Sequence, residues 1–307
     1  MTRPRIGLAL GSGAARGWSH IAIIEALSEA GIEPEIVCGT SMGALVGAAY
    51  VAGRLADLRR WAEAASWREI VPLIDVRLMG GGLIDAKKVI EFLREMGVGG
   101  PIEGYPKAYA AVATDFLTGR ETWLQSGPIL EAVRASIALP GLISPARVDG
   151  RWLLDGGLVN PVPVSVCRAL GADVIIAVNL NGDLVGRRFE SAPDASMASP
   201  FPAVPSEFFG RMLSQLPPAT REQATQIALR LLPQGPFTPG YFDVLTNSIN
   251  IMQDHITRTR LAGEPPHVML MPRVQNIGML EFARAQEAFA EGRACVEAAL
   301  PMLQRYI

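Results

Sequence analysis

The 307-residue chain is poor in several residue types, and each shortage closes off a class of function. It has three cysteines, Cys38, Cys167 and Cys295, far apart and odd in number. They make neither a disulfide framework nor a metal-ligand spacing, and they fit a reducing compartment. Charge is sparse: 19% of residues are charged, the net charge is −2, and the basic residues are scattered rather than clustered. No nucleic-acid partner is expected from such a surface. Long apolar runs are missing as well. The stretch Ile6 to Leu10 behind the basic tip is too short for a signal-peptide core, and no run reaches the ~18 apolar residues of a spanning helix. The expectation is a cytoplasmic protein whose only membrane contact is peripheral. Histidine is rare too, with only His20, His255 and His267.

Small and apolar residues are plentiful: 49% of the chain is hydrophobic, and there are 31 glycines besides. That much apolar surface must be hidden in a core, in a homo-oligomer interface or against lipid. The pattern along the chain favours a core. An apolar run, residues 6–10, leads through Gly11-Ser12-Gly13 into a helical pattern over 17–30 that stops at Gly31. A second run, 35–38, leads through Gly39-Thr40-Ser41-Met42-Gly43 into a small-residue helix over 44–52 that stops at Gly53. Strand, turn and helix thus follow one another twice within about fifty residues, as in a mainly parallel sheet covered on both faces. Further strands are expected at 109–114, 121–124, 173–179 and 267–271. Helices are expected from an Asp85 cap to Met96, and over 129–137, 242–261 and 280–303. Asp149-Gly150 reads as the two-residue turn of a tight hairpin that delivers the chain to Leu153-Leu154-Asp155-Gly156-Gly157. Residues 183–240 break the pattern. They hold nine of the 23 prolines, and Phe208, Phe209, Met212 and Leu216 recur there at helical spacing. They read as an insertion or cap, in contact with lipid or with the protein itself, within a single domain spanning 1–307.

Three segments can carry chemistry. Gly39 to Gly43 fits the nucleophile elbow G-x-S-x-G, in which Ser41 stands clear on a strand-to-helix turn and the helix N-terminus favours developing negative charge. Gly11 to Gly17 joins the first strand to the first helix, so its backbone N–H groups could cradle an anion or form an oxyanion hole. A dinucleotide fingerprint is the rival reading of this loop. It fails because the spacing is G-x-G-x-x-x-G and the second strand ends in Cys38-Gly39 rather than an acidic residue. Asp155 follows an apolar strand, with glycines leaving access to its carboxyl. A serine needs a base. Ser41, Asp155 and a late histidine would match the chain order of α/β-hydrolases, but Ser41 comes after only two strands, too early for that fold. His20 suits packing or support of the loop.

Taken together, the blocks LGSGAARGWSHIAII, GTSMGA, ASIALPGLISP and LLDGGLVNPVP make the chain resemble the patatin-like phospholipases, particularly compact bacterial members related to the catalytic domain of neuropathy target esterase. The likeness covers about residues 5–180, with a looser match over 268–292. It implies a three-layer α/β/α fold with a mainly parallel central sheet. It also implies a serine esterase acting on phospholipids, lysophospholipids or simpler lipid esters through a Ser41–Asp155 dyad without histidine. Backbone N–H groups of Gly11, Ser12 and Gly13, with Met42, would hold the oxyanion. Arg16 would order that loop or meet a phosphate, and Gly17, Gly39, Gly43, Gly156 and Gly157 are the motif glycines. Ser12 stands where many members have glycine. No metal and no cofactor are called for. The alternative is a non-catalytic lipid-binding or regulatory protein that keeps the same pocket.

Overall fold

A computed structural model of the chain describes residues 3–70, 73, 84–182 and 241–306. Eight strands form one sheet: β1 (Ile6–Leu10), β2 (Ile36–Thr40), β3 (Ala108–Asp115), β4 (Glu121–Leu124), β5 (Ala146–Val148), β6 (Arg151–Asp155), β7 (Val174–Val178) and β8 (Val268–Leu270). Their order is β5-β6-β3-β2-β1-β7-β8, with β4 paired to β3 off this path. The run β3-β2-β1-β7-β8 is parallel throughout. Strands β1, β2 and β7 are buried at every position, which is why each reads in the sequence as an unbroken apolar run.

Helices cover both faces: α1 (Ser19–Glu29), α2 (Met42–Val51), α3 (Leu55–Ala64), α4 (Trp67–Ile70), α5 (Lys87–Glu95), α6 (Ile129–Ser136), α7 (Val164–Ala169), α8 (Tyr241–Gly263) and α9 (Ala285–Leu303). One core layer joins Leu8, Ile21, Val46, Val133 and Phe289, so α1, α2, α6 and α9 share a face of the sheet. The other joins Ala9, Cys38, Val112, Val166 and Ile175, with Leu261 of α8 packed against it. The fold is the expected three-layer α/β/α arrangement. Helices α1 and α9 touch closely because position 292 is glycine: a Cβ there would lie 2.5 Å from the Ser19 carbonyl oxygen.

One detail of strand pairing sets up the site. Strand β3 is longer than its neighbours. It pairs with β2 through residues 108–112, with β4 through 111–114, and with β6 through 113–115. Strand β4 overlaps both of the other two, so it takes one edge of β3 while β2 and β6 share the opposite edge. Parallel β2 ends with Thr40 against Val112, and antiparallel β6 ends with Asp155 against the next residue, Ala113. Two strands arriving from opposite directions therefore finish side by side.

The hairpin over residues 146–155 forms with Asp149 at φ 48° and Gly150 at φ 79°, the pair of positive angles that a tight two-residue turn demands. Two features differ from expectation. The N-cap of α5 is Ala86, not Asp85, whose carboxylate instead accepts a 3.1 Å bond from Ser144 Oγ and pairs with Lys87. It is drawn there because Ile84 bridges Ile143. Helices α3 and α4 have no counterpart in the sequence reading; α3 buries only Leu58 and Ala62. The expected insertion or cap, including Phe208, Phe209, Met212 and Leu216, lies outside the described residues. Among the described residues no helix is long and apolar enough to cross a membrane.

Candidate active site

Strand β2 ends at Thr40 and α2 begins at Met42, so Ser41 alone turns the chain. It does so at φ 57°, ψ −121°. A side-chain-bearing residue at positive φ is strained, by roughly 1–3 kcal/mol, and persists only where its surroundings hold it. Here the Ser41 N–H donates to Ser136 Oγ at 2.8 Å, and Ser136 Oγ donates to the Val112 carbonyl at 2.6 Å. The Ser41 carbonyl accepts from the N–H groups of Ala44 and Leu45. The elbow glycines are fixed by contact with backbone. A Cβ at Gly43 would lie 2.1 Å from the Leu10 carbonyl oxygen, and one at Gly39 would lie 2.4 Å from that of Gly43.

Asp155 closes β6, with its N–H on the Ala138 carbonyl and its carbonyl accepting from Thr114 Oγ1. Its side chain is fully buried. Oδ2 accepts from Ser41 Oγ at 2.6 Å, and Oδ1 accepts from the Gly157 N–H at 2.7 Å. Burial pushes the carboxyl up to about 6, and the bonds from Ser41 and Gly157 hold it from rising further. At neutral pH it is mainly a carboxylate. Gly156 leaves room for the Val112 carbonyl, 2.2 Å from where its Cβ would stand, and Gly157 does the same for Gln253 Nε2 at 2.3 Å.

The glycine loop corrects part of the expected donor set. The Gly11 N–H donates to the Val178 carbonyl at 3.0 Å and the Ser12 N–H to the Pro161 carbonyl at 2.8 Å. The first continues the pairing of β1 with β7, the second reaches the segment that leads into α7, and neither N–H has a hydrogen left for a ligand. Among the described residues no acceptor takes the N–H of Gly13, Ala14 or Met42. Ala14 and Met42 line the same cavity as Ser41. Loop and elbow are packed together, since a Cβ at Gly17 would lie 2.2 Å from Met42 Cγ.

Arg16 is 2% exposed. Its Nε donates to the Gly13 carbonyl at 3.1 Å and its Nη2 to Asn250 Oδ1 at 3.0 Å, so its contacts serve loop order rather than a solvent-borne phosphate. His20 is fully buried, and its Nε2 lies 2.8 Å from the Gly11 carbonyl oxygen, which fixes the proton on that nitrogen. Desolvation lowers this imidazole to about 4, partly offset by the Gly11 bond. Neither late histidine hydrogen-bonds Ser41 or Asp155. His255 is exposed on α8, and His267 Nδ1 accepts from the Ile175 N–H between β7 and β8.

Two features escaped the sequence reading. Ser136 carries the Ser41 amide, and its only signal was membership of the ASIALPGLISP block. Asn250, Gln253, Asp254 and Thr257 form a buried polar row on α8. Gln253 Oε1 accepts from Ser12 Oγ at 2.9 Å and from Asn181 Nδ2 at 2.8 Å. A polar row at helical spacing ordinarily marks the face turned to water, and here it faces the glycine loop.

Beside Ser41 opens a cavity of about 180 Å³. Its wall is apolar apart from the Ser41 hydroxyl and includes Leu58, Trp61, Phe92 and Leu139. The rings of Trp18 and Trp61 lie 6.0 Å apart, and those of Trp61 and Phe92 lie 4.6 Å apart. No group of three or more histidine, cysteine or carboxylate side chains able to hold a metal occurs among the described residues.

The profile of the family described as patatin-like phospholipase matches residues 8–168. An uncharacterized NTE family protein of Mycobacterium tuberculosis is 37% identical over 346 residues, covering 97% of this chain and 91% of that protein. The human patatin-like phospholipase domain-containing protein 6 is 32% identical over 187 residues, covering 59% of this chain but only 14% of that much longer protein. VipD from Legionella pneumophila, a solved structure, aligns over 97% of this chain and 67% of its own with a TM-score of 0.44 and 12% identity.

Proposed function

The chain belongs to the patatin-like phospholipase family, and from that premise we propose that it is a serine hydrolase of lipid acyl esters working through a Ser41–Asp155 dyad. The 2.6 Å bond from Ser41 Oγ to a buried carboxylate carries this reading, with the apolar cavity beside it as the acyl site. In the first half-reaction the Asp155 carboxylate takes the Ser41 proton as Oγ attacks the ester carbonyl carbon. The N–H groups of Met42, Ala14 and Gly13 receive the oxyanion. Collapse breaks the bond to the alcohol, which leaves with the proton from Asp155. Water then replaces the alcohol and gives its proton to Asp155. It attacks the acyl-serine, and collapse frees the fatty acid as Ser41 regains its proton.

The elevated carboxyl suits this work, since a base near 6 is ionised at neutral pH and returns a proton more readily than an ordinary carboxylate. The strained elbow and the unpaired N–H groups would serve no purpose in a protein that only holds lipid, which favours catalysis over the non-catalytic alternative. The test is a fluorophosphonate label with mass mapping of the modified residue, alongside a panel of acyl esters. Label on Ser41, lost in Ser41→Ala, and an activity limb falling below pH ~6 are expected. Label elsewhere, or turnover that survives Ser41→Ala, would sink the proposal.

A further inference from the structure

At the active-site end of the sheet the described surface carries a group of large exposed apolar side chains in the turn after β3 and on β6. The β3–β6 register, continued by the 2.9 Å bond from the Phe116 N–H to the Trp152 carbonyl, sets Phe116 opposite Trp152. The β5–β6 register sets Arg147 opposite the same tryptophan, and its guanidinium lies over the indole ring at 5.9 Å. Arg147, Trp152 and Phe116 thus stand in a row across three strands on one face. Phe116 is 55% exposed, Trp152 46%, and Leu117 at the turn 82%. Arg120 and Arg151 are also exposed, and no ion pair holds any of the three arginines among the described residues. Of the neighbouring carboxylates, Asp115 accepts from the N–H groups of Leu117 and Thr118 and feels the charge of Arg151, while Asp149 and, beside Arg147, Glu131 are exposed.

Position gives the cluster its meaning. Strands β2 and β3 are parallel, with Thr40 against Val112, so Ser41 and the turn after β3 lie at the same end of the sheet. Phe116 is four residues beyond Val112, which places it about 13 Å past the end of β2 along the strand direction. A flat surface touching this tip meets the end of the molecule where the candidate site lies. Tryptophan, phenylalanine and leucine with Arg147 on the indole and two further exposed arginines at the same tip match a phospholipid surface: rings and leucine enter the headgroup boundary while arginines meet phosphates and anionic headgroups.

We propose that the tip formed by Phe116, Leu117 and Trp152 with Arg120, Arg147 and Arg151 docks the protein on anionic phospholipid bilayers. The proposal rests on the lipid-ester reading of the Ser41 site, which supplies the reason for such a contact, but the docking is measured without catalysis. Sedimentation with vesicles of phosphatidylserine and phosphatidylcholine, using Ser41→Ala protein so that no lipid is consumed, gives the binding strength. Replacing Phe116 and Leu117 together by Ser is expected to weaken binding at least about tenfold, because two buried apolar side chains are lost from the contact. Replacing Arg147 by Gln should weaken it about fivefold on anionic vesicles and leave pure phosphatidylcholine binding unchanged.

In the Ser41 background the same tip substitutions should leave hydrolysis of a short soluble ester unaltered. The proposal is overturned if the protein does not sediment with vesicles, or if the Phe116/Leu117 variant binds as well as its parent. It is equally overturned if that variant changes oligomer size instead, which would make the tip a contact between copies. Failure of soluble-ester hydrolysis in the unmodified protein would sink the esterase reading and leave the vesicle result standing by itself.

Discussion

Ser41 lies between two regions built in opposite ways. Below it is backbone against backbone. Gly39, Gly43 and Gly156 each leave less than 2.5 Å between a would-be Cβ and a carbonyl oxygen, and nearly every N–H and hydroxyl around Asp155 and Ser136 has an assigned partner. Beside it is the cavity, walled by side chains from α2, α3, α5 and the segments around residues 139 and 280, with empty space at its centre. The first region cannot absorb a methyl group without moving a strand. The second can exchange one side chain for another with modest loss. Chemistry that depends on tenths of an ångström would sit on the rigid side, and selectivity for the acyl group on the adaptable side.

The sharpest contrast is in the proposed dyad. Ser41→Ala should lower kcat by a factor on the order of 10⁴–10⁶ with the fold intact, and Asp155→Asn should do nearly as much. His255→Gln and His267→Gln should stay within a few-fold, since neither side chain bonds to Ser41 or Asp155. A late histidine as essential as Ser41 in steady-state assays would break the comparison at its root.

Next in size is the floor itself. Gly43→Ala puts a methyl group on the Leu10 carbonyl at 2.1 Å, a backbone atom that cannot swing aside. A loss of roughly 4 kcal/mol or more in denaturant unfolding is expected, enough to threaten folding of a domain with ordinary stability. A loss under about 1 kcal/mol would mean that the floor yields as the cavity does. On the cavity side, Trp61→Leu should leave the protein folded and change which esters are preferred. Each methylene gained or lost in an apolar pocket is worth ~0.8 kcal/mol, about fourfold in kcat/KM. An unchanged chain-length profile would show that acyl groups do not enter here.

How far the sequence foretold each region follows the same division. Strands β1, β2 and β7 and the two glycine turns leave local marks, in apolar runs and in glycines where backbones cross; the pairing of Asp155 with Ser41, 114 residues apart, was implied only by the family resemblance. What could not be read depends on distant partners. Gly11 and Ser12 look like free donors until Val178 and Pro161 are placed beside them. Gln253 looks like a solvent-facing helix residue until α8 is laid over Ser12 and Asn181. The cavity draws on residues from Ala14 to Phe282, and no window of sequence contains it.

The smallest net effect comes from two buried titratable groups flanking the floor, whose contributions oppose each other. Asp155 stands near 6 in the folded protein against an ordinary 3.8, so between those values the native state holds the extra proton and stability falls as pH rises. His20 stands near 4 against 6.5, so between those values the unfolded chain holds the extra proton and stability rises with pH. From pH 4 to 6 the two slopes run against each other and nearly cancel. Glu29, Glu33 and Asp115, all held below their ordinary range, add their dependence mostly below about 4.5. Unfolding free energy of the parent protein should therefore change little from about pH 4.5 to 6, by less than ~1 kcal/mol. Removing either group exposes the other. Asp155→Asn should gain stability with rising pH over that span, and His20→Gln should lose it, each by roughly 2 kcal/mol at one proton per unit of pH. Urea unfolding of the three proteins at matched ionic strength reads the slopes directly. Parallel curves for the two variants would mean that the floor does not hold these groups in the protonation states their burial requires.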